Sequence, residues 1–133
     1  MQLKDLVGEW QEKSQHDILS ARYLVNMRPM PMEVIGFHAQ QAVEKLLKAV
    51  LVLNSMSPEK THDLLYLYKM CSRYTDLPSD LESICAKLNP YAVEHRYPSQ
   101  ASVSPTQLLE DLQDAETLCS QLQKYLTSKI QEL

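Results

Sequence analysis

The sequence predicts an all-α protein: an antiparallel up-and-down helical bundle with four main helices and one shorter helix, in a single domain over residues 1–133. Three observations lead there. Gly8 and Gly36 are the two glycines of the chain, too few to supply the turns of a multi-stranded β protein. Apolar residues recur at three- and four-residue steps along most of the sequence, the spacing of one helix face. The periodic stretches are separated by short breaks such as "RPMPM" (28–32) and "SMSPEKTHD" (55–63).

The first helix is expected over about 3–27, with Leu3, Leu6, Val7, Trp10, Ser14, Ile18, Ala21 and Val25 along one face. Asp17 lies beside that stripe, and Pro29 and Pro31 stop the helix. A second helix is expected over about 33–54. Ile35, Ala39, Ala42, Leu46, Ala49 and Leu53 form its core face, and Val43, Leu47 and Val50 widen the apolar arc. Gln40, Glu44 and Lys48 fall at i, i+4 and i+8, with Gln41 and Lys45 one step round. Thr61 is the expected N-cap of a third helix over about 62–74, facing inward with Leu64, Leu67, Tyr68 and Cys71. A shorter fourth helix starts near Ser79 and ends or kinks at Pro90. After a loop over about 92–103, Ser104 caps the last helix, Pro105 takes its first position and Gln107 completes a capping box. Leu108, Leu112, Ala115, Cys119, Leu122 and Leu126 carry this helix to about Ser128.

The formal net charge is −4, which argues against broad, sequence-independent coating of nucleic acid. The charge is uneven. Lys45, Lys48, Lys60, Lys69 and Arg73 outnumber Glu59 and Asp63 across 45–74, whereas acids dominate 105–133. Cys71, Cys85 and Cys119 are odd in number, lack metal-ligand spacing and sit at apolar helical positions, as small buried hydrophobes in a reducing compartment do. No basic region followed by an apolar run opens the chain, and "AVLVL" (49–53) is too short to span a membrane. The expected location is the cytoplasm.

Three segments carry residues suited to chemistry. In "FHAQQAVEKLLKA" (37–49), Gln41, Glu44, Lys45 and Lys48 form either a solvated face or a polar binding patch. In "THD" (61–63), His62 and Asp63 stand at a helix start, where free N–H groups and a protonated imidazole would favour an anion. In "HRYP" (95–98), the Arg96 guanidinium matches a phosphate or carboxylate and Tyr97 can stack on a base or donate its hydroxyl. The plainer alternative pairs Arg96 with Asp17 or Glu44. His38, His62, Asp63 and His95 match no metal motif, so no metal is expected.

"DILSAR" (17–22), "FHAQQAVEKLLKA", "THDL" (61–64) and "HRYP" follow one another in the order and spacing of HEPN domains, named for higher eukaryotes and prokaryotes nucleotide-binding. The resemblance runs over about residues 5–127 and implies an antiparallel bundle that often dimerises. Many HEPN proteins are ribonucleases with an Arg followed a few residues later by a His. No His follows Arg22, Arg28, Arg73 or Arg96 in that way. The chain instead resembles the non-nuclease branch that carries "RYP", whose members accompany minimal nucleotidyltransferases, in toxin–antitoxin-type pairs among other settings. The resemblance therefore implies a nucleotide-binding accessory module with a nucleotidyltransferase partner and a homodimeric state, which the wide apolar arc of the second helix also suggests. It needs no cofactor, and its ligand is a nucleotide (ATP or GTP) or RNA. Arg96, Tyr97, Lys48, Lys45, Gln41, Glu44, His62 and Asp63 are the expected contacts. Two alternatives stay open: a metal-independent RNase with a non-standard active site, and a structural or dimerisation domain in which Asp17, Glu44, Lys48 and Arg96 form a buried polar network.

Overall fold

Val7, Ser14, Ile18 and Ala21 share one face of helix α1 (Leu3–Leu24), and all four are buried together with Asp17. The computed structural model describes residues 2–92 and 103–133 and contains five α-helices, with no strand among the described residues. Helix α1 pairs with α2 (Met32–Leu53); two eight-residue helices follow, α3 (Leu64–Cys71) and α4 (Leu81–Leu88), and a single 3-10 turn at Asn89–Ala92. The last helix, α5 (Pro105–Gln131), has 27 residues.

Helix α2 is the centre of the bundle. Ile35, Ala42, Val43, Leu46, Leu47, Ala49 and Val50 are wholly buried, so the widened arc of α2 is covered within the chain itself. Its neighbours cover it: α1, α3 and α5 pack on α2, joined by α4 and the 3-10 turn. Cross-links show the directions. Ser14 donates to the Ala42 carbonyl at 2.7 Å and His38 meets Asp17 at 2.8 Å, which makes α1 and α2 antiparallel. Gln11 meets Gln123 at 2.8 Å and Arg22 meets Glu116, which makes α1 and α5 antiparallel as well. Lys87 reaches Asp114 at 2.6 Å from α4 to α5.

The connection from α2 to α3 decides what the polar row of α2 meets. Ser55 takes a positive φ of 61° just after α2. Its N–H bonds the Val52 carbonyl and the Met56 N–H bonds that of Leu51, the paired bonds of a Schellman cap. The chain then turns back along α2, so that His62 arrives beside Glu44. Helix α3 starts later than the sequence suggests. Asp63, not Thr61, is its N-cap: Asp63 Oδ1 accepts the N–H groups of Leu65 and Tyr66, while Thr61 Oγ1 accepts that of Asp63. At the start of α5, Ser104 caps the Gln107 N–H at 3.1 Å as expected, and the Gln107 side chain reaches forward to Asp111. Cys71, Cys85 and Cys119 are free and buried.

Candidate functional site

The polar row of α2 points inward. Glu44 is 3% exposed and Lys48 7%, with Gln40 and Gln41 also buried. An acid at such a depth needs donors on both oxygens, and Glu44 has them. Lys48 Nζ donates to Oε2 at 3.1 Å, and Gln41 Nε2 donates to Oε1 at 3.0 Å. His62 Nδ1 also lies 2.8 Å from Oε1. Because a carboxylate only accepts, the imidazole meets it with Nδ1–H, and Nε2 remains as the second polar atom of the ring. Gln40 holds the backbone of the same residue, donating to the His62 carbonyl at 2.7 Å. The Gln40 amide and the Glu44 carboxylate on α2, themselves tied together by Gln41, therefore hold one histidine whose side chain is 66% exposed.

Asp63 stands next to it with a different role. Its carboxylate caps α3 and accepts from Asn89 Nδ2 at 3.0 Å, while Asn89 Oδ1 accepts the Leu64 N–H at 2.8 Å. The Asn89 hydrogen bond, then the Tyr66 N–H, hold the Asp63 carboxyl below its usual 3.8, against a smaller opposing effect of burial. His62, Asp63, Ala86, Asn89, Pro90 and Ala92 line a shallow hollow of about 500 Å³.

The expected contacts thus separate. Gln41, Glu44 and Lys48 form one buried network with His62 at its surface, and Asp63 adjoins it. Lys45 turns to another face of α2 and pairs with Asp17 on α1. Arg96 and Tyr97, with His95, lie outside the described residues.

A model of the HEPN domain matches residues 7–129. The chain belongs to the HEPN domain family. The crystal structure of TT1696 from Thermus thermophilus is similar in fold, with a TM-score of 0.70 and 22% sequence identity, covering 92% of this chain and 97% of that one. No curated protein gives a significant match.

Two polar clusters of this HEPN domain escape a reading of the sequence alone. Asp17, 8% exposed, accepts from His38 Nδ1 at 2.8 Å and from Lys45, so α1 and α2 share a second histidine–carboxylate pair. The burial of Asp17 follows from its place beside the apolar stripe of α1, and that placement was the available signal. Asp111 is also buried; it accepts from the Tyr91 hydroxyl at 2.7 Å and from Gln107 at 2.9 Å. Nothing in the sequence marks this link, which depends on the Tyr91 ring lying against Gly36. A Cβ on Gly36 would sit 2.2 Å from Tyr91 Cδ1. Among the described residues, no buried side-chain nitrogen or oxygen lacks a partner, and no group of three or more His, Cys, Asp or Glu could hold a metal. No helix among them is long and apolar enough to cross a membrane.

Proposed function

We propose that this HEPN domain is a nucleotide-binding accessory module that works with a minimal nucleotidyltransferase-type protein, as a homodimer in the cytoplasm and within a toxin–antitoxin-type pair. Its contacts are Arg96, Tyr97, His62 and Asp63 at the surface, with Gln41, Glu44 and Lys48 as the polar row behind them. Arg96 meets the phosphate of ATP or GTP, and Tyr97 holds the base or ribose. One observation carries this reading: a buried carboxylate, Glu44, holds an exposed imidazole at the rim of a hollow whose lining residue Ala92 leads straight into the segment bearing "HRYP". A row of solubilising charge would have been left in water, whereas this one is turned inward to orient His62.

Thermal unfolding with and without millimolar ATP, GTP, AMP and a short RNA, on wild type, Arg96→Ala and His62→Ala, tests this reading. A ligand at one hundred times its dissociation constant adds about 2.7 kcal/mol. The expected result is a raised midpoint in wild type that both variants lose, with the ligand-free midpoint of Arg96→Ala near wild type. No shift with any ligand, together with an early-melting Arg96→Ala, would assign Arg96 to the architecture and end the nucleotide reading.

The same pair favours a second reading. A carboxylate that fixes one imidazole nitrogen leaves the other to accept a proton, the part of a general base in metal-independent RNA cleavage. Cleavage of a short RNA in excess chelator, abolished by His62→Ala, would establish it.

A further inference from the structure

We infer that the hollow between the C-terminal half of α1 and the start of α2 is a second small-molecule site, in which His38, oriented by Asp17, accepts a hydrogen bond from a neutral aromatic ligand bearing one N–H or O–H donor. This site stands apart from the His62 surface and does not rest on the function proposed above. The hollow measures about 670 Å³ and is lined by Leu19, Ser20, Arg22, Tyr23, Leu24 and His38. The hollow is open to solvent on one side, and it pairs mostly apolar walls with a few placed polar groups, as small-molecule sites do.

The polar groups here have defined roles. Asp17 is buried and takes Lys45 on Oδ2, so its charge is already matched by an ammonium. On Oδ1 it takes His38 Nδ1 at 2.8 Å, and a carboxylate only accepts, so Nδ1 carries the hydrogen. Nε2 is then the lone-pair acceptor of the neutral ring. The Phe37 and His38 rings also meet in an edge-to-face arrangement, their centroids 6.0 Å apart. Arg22 adds no unmatched charge to the hollow, because its guanidinium is paired with the Glu116 carboxylate through two of its five donors, at 2.8 and 2.5 Å. Leu19, Leu24 and the Tyr23 ring offer apolar surface, with Leu19 and Tyr23 well exposed. A ligand with a flat apolar body and one donor uses both the apolar walls and the His38 acceptor; an anion would leave the apolar walls unused and meet a guanidinium already paired with Glu116.

Phenol and indole serve as probes, against anisole and N-methylindole, which have the same shape without the donor. Binding is followed by NMR, reading the His38 Nε2 nitrogen shift and the amides of residues 19–24 and 38. Phenol and indole should move the Nε2 signal and bind about tenfold more tightly than their methylated forms, one lost hydrogen bond to an aligned acceptor. His38→Phe, which also strips Asp17 Oδ1 of its donor and so lowers the unfolding midpoint, should lose that preference while still binding anisole and N-methylindole. Leu24→Trp, which fills the hollow, should abolish binding of all four probes. Equal affinity for donor and methylated probes would overturn the proposal. So would no shift at His38 with millimolar probe, including the case in which a second copy of the chain covers Tyr23 and His38 in solution.

Discussion

Glu44 and Lys48 sit four residues apart on α2, and on an exposed helix such a pair contributes about 0.2–0.5 kcal/mol. Their burial changes the magnitude and the sign of what substitutions do. The desolvation of two charges is offset by their mutual contact and by the donors from Gln41 and His62. Removing one partner leaves the other charge buried without compensation. Glu44→Ala is therefore expected to cost about 3–5 kcal/mol, read as a fall in the urea unfolding midpoint. The double variant Glu44→Leu/Lys48→Met removes both charges at similar volume and should recover most of that loss. If the double variant melts as early as the single one, the pair is not the origin of the cost. The i, i+4, i+8 spacing of Gln40, Glu44 and Lys48 was visible in the sequence, and so was their segregation from the apolar arc. Their burial was not, because it depends on His62, which the returning segment brings alongside from 18 positions away.

At the scale of elements, helix existence followed from apolar periodicity, and the three long helices match their expected spans to within a few residues. Helix starts were less legible where a distant residue takes part. Thr61 and Asp63 are both acceptable caps by type. Asn89, 26 positions on, decides for Asp63 by bonding its carboxylate and the Leu64 N–H together. The break at 55–63 was visible, but the left-handed residue that opens it was not: Ser55 holds the position where Gly is usual, so no residue type announced its conformation. The Asp63 cap has a pH signature. Its folded-state carboxyl is held below 3.8, chiefly by Asn89, so its stabilisation is present above the unfolded value and is lost as pH falls through the folded one. Asp63→Ala should cost about 1 kcal/mol at neutral pH. The gap between wild type and variant should close as the solution is taken below 3.8. A constant gap across that range, in urea melts at stepped pH, would show that the carboxylate charge does not contribute to the cap.

For the whole molecule, the question is whether the bundle opens as one unit. Helices α1, α2 and α5 have 22, 22 and 27 residues and bury their faces against one another. Helices α3 and α4 have eight residues each, too short to persist without the surface they pack on. That difference places the α3–α4 pair at the low-stability end of the molecule. The cysteines report on both parts: Cys71 is in α3, Cys85 in α4 and Cys119 in α5. Burial pushes all three thiols up to about 12, so none is a thiolate at neutral pH while the fold is closed. Each reacts through opening of its surroundings. In native buffer, N-ethylmaleimide labelling followed by peptide mass spectrometry should modify Cys71 and Cys85 at one common rate and Cys119 more slowly. Rising urea should bring the three rates together as global unfolding takes over. Three equal rates in native buffer would instead make the five helices a single cooperative unit. His62 would then be held as firmly as the core behind it, although it sits just before the shortest helices of the bundle.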